Sequence, residues 1–447
     1  MSLYRVALPY QADAAHYYAA LADLPWAVWL DSGGMARHDI LTAAPHHTLI
    51  LEENTVCRDP FGWVREELGV RVAPVENIPF AGGALGYWSY DLARRYHCIP
   101  DIAHATEHLP DMAVGIYDWS IILDHQQRNA SLVSHQRFPG TAELLPDILS
   151  RLLALKPAEK TDFKVIGKVR SNFTTESYAS AFAKVGNFLQ AGDCYQINLA
   201  QRFSAKAVGD AFNAYLRLRN LSPAPYSAFL NFPHGQILSS SPERFISVQN
   251  GKVETRPIKG TRARSSEPGM DRLLVNELQN NPKDQAENLM IVDLLRSDLG
   301  KNCETGSVHV PKLFEVESYR NVHHLVSTVT GKLAEGRDAL DVLRDCFPGG
   351  SVTGAPKLRA MQIIEQLEPG RRGIYCGAIG YVGFDGNMDS NIAIRTMVHS
   401  GNEIRCWAGG AIVADSDERA EYQETLDKAT AMLELLRYFG GELYIAT

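Results

Sequence analysis

Residues 403–439 read EIRCWAGGAIVADSDERAEYQETLDKATAMLELLRYF. The opening part, EIRCWAGGAIV, is a short apolar run of the kind a buried strand presents. From Asp417 onward the apolar residues Tyr422, Leu426, Ala429, Leu433 and Leu436 recur at helical spacing, about 100° per residue, with charge on the remaining face. A strand that delivers the chain into a long amphipathic helix implies sheet and helix packed on one another, an α/β (α+β) architecture.

The same alternation extends upstream. CYQINLAQRFSA, SAFLNF, GAIGYVGF and SNIAIRTMV read as strands, and helices are expected at 284–295 and 356–367 as well as 417–439. A further helix is expected after Thr174, a suitable N-cap, because Tyr178, Phe182, Val185, Phe188 and Leu189 keep its spacing until Gly192. HGQILSSSPERFISV and KVETRPIKGT form a predicted hairpin around Gln249, Asn250 and Gly251. From 1 to 155 short runs such as PWAVWLDSGG, PFAGGALGYWSYD and MAVGIYDWSIILDH read as mainly β. The charged stretch 156–172 is the expected junction between an N-terminal region, 1–155, and a C-terminal region, 173–440.

Composition narrows the partners. The chain has 447 residues, 45% hydrophobic and 21% charged, as in ordinary folded proteins. Its 44 Lys and Arg against 52 Asp and Glu give a net charge of −8, so no global positive field attracts nucleic acid or anionic lipid. The 7 cysteines are scattered, without CxxC spacing, which argues against a disulfide framework or a zinc site and fits a reducing cytoplasm. No export signal and no run of about 18 apolar residues is present, so no membrane partner is expected.

Several residues could carry chemistry. Asp284 and Glu287 project from one edge of a helix otherwise rich in Leu, Ile and Val, and either a salt bridge or a ligand role would satisfy them. Glu421, Glu424 and Lys428 share an edge of the last helix; an exposed ion pair is the plain reading. If the two acidic edges met, they would form an oxygen-rich site suited to Mg²⁺. Gly409 and Gly410 after the strand, and FPGGSVTGAPK leading into a helix with Pro356 in its first turn, could each bring backbone N–H groups to an anion or could simply be turns. Glu243 and Lys259 lie near corresponding ends of the expected hairpin, and a nucleophilic lysine there would need its pKa pulled below about 10.4. His324 is a further acid/base candidate, though a histidine at such a position also serves as a core residue.

Together GDCYQINLAQRF, SPERF, RPIKGT, AENLMIVDLLRSDLG, HHLVST, PGGSVTGAPKLRAM, IAIRT and AEYQETLDKA closely resemble the chorismate-utilising superfamily of anthranilate and isochorismate synthases, and within it the component I group of aminodeoxychorismate synthases. The resemblance spans most of 192–436 and reaches the N-terminal third through FAGGALGYWSYD and LPDMAVGIYDW. It implies a two-sheet β-sandwich flanked by helices, with intertwined N- and C-terminal regions and the active site in the C-terminal portion. It also implies a cytoplasmic, transaminase-type enzyme of 4-aminobenzoate and folate synthesis. That enzyme would join chorismate and ammonia into 4-amino-4-deoxychorismate with Mg²⁺, the ammonia coming from a separate glutamine amidotransferase subunit.

By the same resemblance Glu287 and Glu424 bind Mg²⁺, with Glu421 and Asp284 as ligands or water-mediated partners. Tyr375 and Arg395 match positions that grip the enolpyruvyl group, and Ser351, Gly409 and Lys428 match positions around the ring carboxylate. Lys259 stands where the group has a lysine proposed to attack C2 of chorismate, and Glu243 where it has a general acid/base. Anthranilate synthases, the enzyme alternative, read PIAGT where this chain has PIKGT. Isochorismate synthases carry a water-activating lysine at the place of Gln196, and His324 matches a histidine linked to pyruvate elimination in anthranilate synthases. Ala411 replaces a glycine common in the carboxylate loop. Ser32 in WLDSGG and Pro225, Tyr226 and Ser227 in LSPAPYSAFL match a tryptophan pocket, with His38 in place of a common aromatic residue. A non-catalytic subunit sensing chorismate or tryptophan is the alternative of another class; the retained Glu243, Lys259, Glu287 and Glu424 argue against it.

Overall fold

The computed structural model describes residues 3–154, 162–320 and 322–444. Among these, the strands form two large, mostly antiparallel sheets, one of thirteen strands and one of ten. N-terminal strands enter both. Ala27–Asp31 pairs with Tyr226–Phe232 in the larger sheet, and Gly83–Trp88 pairs with Ala378–Gly383 in the smaller. The regions 1–155 and 173–440 are therefore interleaved through shared sheets.

Alternation along the strands sorts side chains between two cores. In the larger sheet Val28, Leu230 and Ile237 face the smaller sheet and meet Phe245, Ile246 and Tyr381. Their neighbours Trp29, Phe229 and Leu238 face outward under helices, against Tyr17, Tyr18, Tyr215 and Leu218. Both faces of the central strands are thus covered, which is why AVWL and SAFLNF read as continuous apolar runs. The helices Thr175–Gln190 and Lys357–Leu367 cover one end of Gln196–Gly209 through Tyr178, Val185, Ile363 and Ile197.

Four expectations are corrected. The described part of the junction is the strand Phe163–Ser171, which turns Phe163, Val165 and Val169 inward and pairs with Gln196–Gly209; residues 156–161 lie outside the described ones. The expected hairpin is divided. Gly235–Ser241 belongs to the larger sheet, Arg244–Gln249 and Lys252–Thr255 form the hairpin proper in the smaller, and Ile258–Ala263 pairs elsewhere, with Val322–Lys332. Pro242 and Pro257, which have no N–H to give a ladder, mark the breaks. SNIAIRTMV likewise splits into Met388–Ile392 of the smaller sheet and Thr396–Ser400 of the larger. Finally, Pro356 caps its helix from outside the first turn, and the helix begins at Lys357.

Candidate active site

The two divided segments cross between the sheets side by side. Glu243 lies at one crossing and Arg395 at the other, and they are stitched together where Ile392 N donates to Glu243 O at 3.0 Å and Ser240 N donates to Arg395 O at 3.1 Å. Arg395 takes a left-handed φ of 51°, which turns the chain between sheets. A ladder cannot continue through such a step, so side chains at the step are freed to face a ligand.

A cleft of about 590 Å³ opens there. Lys259 enters from the strand Ile258–Ala263, His324 from Val322–Lys332, and Trp407, Gly409 and Ala411 from Glu403–Ile412. The helices Pro282–Gly300 and Glu418–Tyr438 bring Asp284 and Glu287 opposite Glu421, Glu424 and Lys428. The meeting of acidic edges that spacing left open is thus realised.

One short turn ties Glu243 and Lys259 together. Ser351, in the helical turn Gly350–Val352, donates its hydroxyl to Glu243 Oε1 at 2.8 Å, and its carbonyl accepts from Lys259 Nζ at 3.2 Å. Glu243 is 5% exposed, and burial raises its pKa against the opposing pull of the Ser351 hydrogen bond and Lys259. Burial also lowers the pKa of Lys259, assisted by Lys428 and opposed by Glu287, Glu243 and Glu424. The site therefore favours an uncharged amine beside a protonated acid more than water does.

The acids divide into different states. Burial raises the pKa of Glu287 and of Glu421. For Glu424 burial acts the same way but is outweighed by Lys428, 2.5 Å away, and its pKa falls below the ordinary value. Glu421 Oε1 accepts from Ser416 Oγ at 2.6 Å, while its buried Oε2 has no partner. Asp284 Oδ2 is held by Arg262 Nη2 at 3.2 Å, so the salt bridge weighed for it is present. Among the described residues no three His, Cys, Asp or Glu side chains gather closely enough to enclose a metal ion by themselves.

Two cationic groups serve the rest of the cleft. Lys428 Nζ donates to Gly409 O at 3.0 Å, and a Cβ at Gly409 would come within 2.8 Å of both Asn198 Oδ1 and Leu199 O, so glycine is required by close approach. The Arg395 guanidinium makes no ion pair among the described residues and lies in the cleft with Tyr375, whose ring stacks on Trp407 at 6.1 Å. Nearby, His324 Nδ1 pairs with Thr261 Oγ1 at 2.9 Å, and burial followed by the Arg395 charge lowers its pKa to about 4, so it is neutral at pH 7.

Of the catalytic, substrate and metal candidates singled out from sequence, Gln196 and Gly410 do not line the cleft; Gly410 is paired with Leu199 in the ladder, and Gln196 is 0% exposed, with both amide atoms unpartnered. The helix after FPGGSVTGAPK also faces away, its Lys357 bound to Asp298 at 2.7 Å, and Ser351 and Val352 are the residues of that segment that reach the site. Sequence reading missed Asn198 and Trp407 as lining residues. Polar Gln196 and Asn198 at alternate positions of QINLA were the available signal, because that face of a covered strand needs a polar destination.

A second cavity, of about 800 Å³, lies between the sheets and gathers Ser32, Pro225, Tyr226 and Ser227. His38 is on its wall, and Arg244 covers the Tyr226 ring at 5.1 Å while pairing with Asp389 at 2.9 Å. Because Glu243 and Arg244 are consecutive, one faces each cavity.

The chorismate binding enzyme family profile matches residues 26–434. Aminodeoxychorismate synthase component 1 of Klebsiella aerogenes is 47% identical over 96% of this chain and 98% of its own length. Anthranilate synthase component 1 of Aquifex aeolicus is 40% identical over 81% of this chain and 76% of its own. The crystal structure of anthranilate synthase component I from Streptococcus pneumoniae superimposes with a TM-score of 0.79 at 34% identity, covering 89% of this chain and 92% of that one.

Proposed function

The chain belongs to the chorismate binding enzyme family, and from that premise we propose that it converts chorismate and ammonia to 4-amino-4-deoxychorismate. The observation that carries the reading is Lys259, with its lowered pKa, hydrogen-bonded to the same turn that orients buried Glu243. An amine can act as a nucleophile only when uncharged, and a carboxylic acid can protonate a leaving hydroxyl only when its proton is on.

In the proposed reaction the Lys259 lone pair bonds to C2 of chorismate and the ring double bonds shift. The C4–O bond breaks, and Glu243 gives its proton so that the hydroxyl leaves as water. Ammonia then bonds to C4, the double bonds shift back, and the C2–N bond breaks to release Lys259 as the free amine. Glu243 recovers its proton from the new ammonium group. Arg395 suits one substrate carboxylate, since its planar fork can donate two parallel hydrogen bonds. Tyr375 and His324, buried and neutral, bound the enolpyruvyl end without adding charge.

Mg²⁺ fits the donor set. Glu287, Glu424 and the unpartnered Glu421 Oε2 are hard oxygen donors, and magnesium takes one or two protein carboxylates with water and substrate oxygens. When bound it supplies positive charge for the ring carboxylate. Lys428, which also donates to Gly409 O, would approach the same anion from the protein side. Ammonia is proposed to reach the cleft from a separate glutamine amidotransferase subunit, the cavity between the sheets is proposed to hold tryptophan, and the enzyme is proposed to work in the cytoplasm.

The test is incubation with chorismate, Mg²⁺ and ammonium, with and without a 4-amino-4-deoxychorismate lyase. 4-Aminobenzoate formed only with the lyase is expected. Anthranilate formed without it would establish the other activity, and unchanged chorismate would leave a binding subunit. In Lys259→Ala, turnover should fall by about 10²-fold or more, the scale of losing an essential nucleophile.

A further inference from the structure

We propose that Asn198 holds the incoming ammonia molecule, its side-chain oxygen accepting one ammonia N–H so that the nitrogen lone pair stays free for attack on the ring. This rests on the ammonia-using reaction proposed above and names a residue for a step that the proton-handling groups leave unassigned.

Asn198 lies in the strand Gln196–Gly209, is 6% exposed and lines the cleft, and its Oδ1 is buried with no hydrogen-bond partner. Its backbone is fixed at both ends: Asn198 N donates to Thr353 O at 2.9 Å, and Asn198 O accepts from Arg372 Nη2 at 2.8 Å. Arg372 is itself 1% exposed and bidentate on Glu368, at 3.0 and 2.7 Å. The side chain is therefore presented from a rigid base, against the α-carbon of Gly409. A buried amide oxygen without a partner is unfavourable, a cost that a hydrogen-bonding ligand removes.

The chemistry of the occupant follows from the other acceptors present. Glu287, Glu421 and Glu424, when ionised, would hold ammonium, which has no lone pair and cannot attack carbon. The neutral acceptors Ser351 O and Gly409 O already take hydrogen bonds from Lys259 and Lys428, and Thr261 Oγ1 pairs with His324. An amide oxygen carries no net charge, so it accepts an N–H without the pull toward the protonated form that a carboxylate exerts. Two residues along, Gln196 lies on the same strand face with both amide atoms unpartnered.

Asn198→Leu, with the same branching at Cγ and the same number of side-chain heavy atoms but unable to accept, is the deciding variant. Steady-state kinetics with ammonium as the varied substrate should show its KM raised about tenfold, the effect of one lost hydrogen bond. Chorismate affinity, measured by calorimetry with Mg²⁺ and no ammonium, should stay within about twofold of wild type. If the leucine variant fails to bind chorismate, Asn198→Ser decides: its ammonium KM must still rise, by about threefold or more. An unchanged ammonium KM in a variant that binds chorismate overturns the inference, as does a loss of chorismate affinity as large as the change in ammonium KM. A wild-type protein that binds chorismate but makes no aminated product overturns the reading beneath it instead, and the inference with it.

Discussion

Lys259 and Glu243 are best regarded as one titrating pair, because both contact Ser351 and each feels the other's charge. The productive form carries one proton, on Glu243, with Lys259 neutral. At low pH the pair gains a second proton, which charges the amine; at high pH it loses its last, which removes the acid. Burial moves the two groups toward each other, lowering the lysine and raising the glutamate, so the productive tautomer gains population between the limits. A bell-shaped profile of kcat/KM for chorismate is expected, with an acid limb that climbs as the doubly protonated pair loses one proton. Glu243→Gln should be slower at every pH and lose the alkaline fall, since its amide cannot ionise. An alkaline limb retained in that variant would assign it to another group.

At the scale of elements, the Pro282–Gly300 and Glu418–Tyr438 helices bring carboxylates together that neither helix would gather alone. Glu287 has a raised pKa, so its ionisation works against the folded state: the stability it contributes below its unfolded pKa is lost as pH rises through the folded value. Glu424 has the opposite sign, its pKa lowered by Lys428 against burial, so its charge supports the fold above the unfolded pKa. Without metal, Glu287→Gln should therefore raise the melting temperature slightly, on the order of 1–2 °C, and Glu424→Gln should lower it. Mg²⁺ should raise the melting temperature of the wild type, and both substitutions should abolish that increment. Scanning calorimetry with and without Mg²⁺ checks each of these statements, and an increment retained in both variants would move the metal elsewhere.

For the whole molecule, the two stacked sheets explain why a second cavity exists beside the cleft. Strands crossing from one sheet to the other carry Glu243 and Arg244 in succession, so one cavity opens on each side of the crossing. The cavity of about 800 Å³ is expected to retain tryptophan through purification. Denatured protein, examined by mass spectrometry, should release it in near one-to-one ratio; a dialysed sample with none, whose melting temperature ignores added tryptophan, would remove that ligand. Much of this molecule was legible in the residues. The resemblance, not spacing, singled out Lys259, Glu287 and Glu424, which the fold brings to one cleft. The change of period within 403–439 identified sheet and helix, and Thr174 the start of a helix. These are local features, set by side-chain spacing over a few residues, and local spacing is what a sequence displays directly. The breaks in HGQILSSSPERFISV and SNIAIRTMV were not legible in this way, because whether a strand continues or changes sheets depends on partners far along the chain. The unpaired oxygen of Asn198 and the diversion of Asp284 to Arg262 were hidden for the same reason. The sequence by itself determined the elements and the inventory of reactive groups. Tertiary structure alone decided which of those groups share a desolvated space, since burial and mutual distance, not residue type, set whether an amine is charged and whether an amide is free to bind.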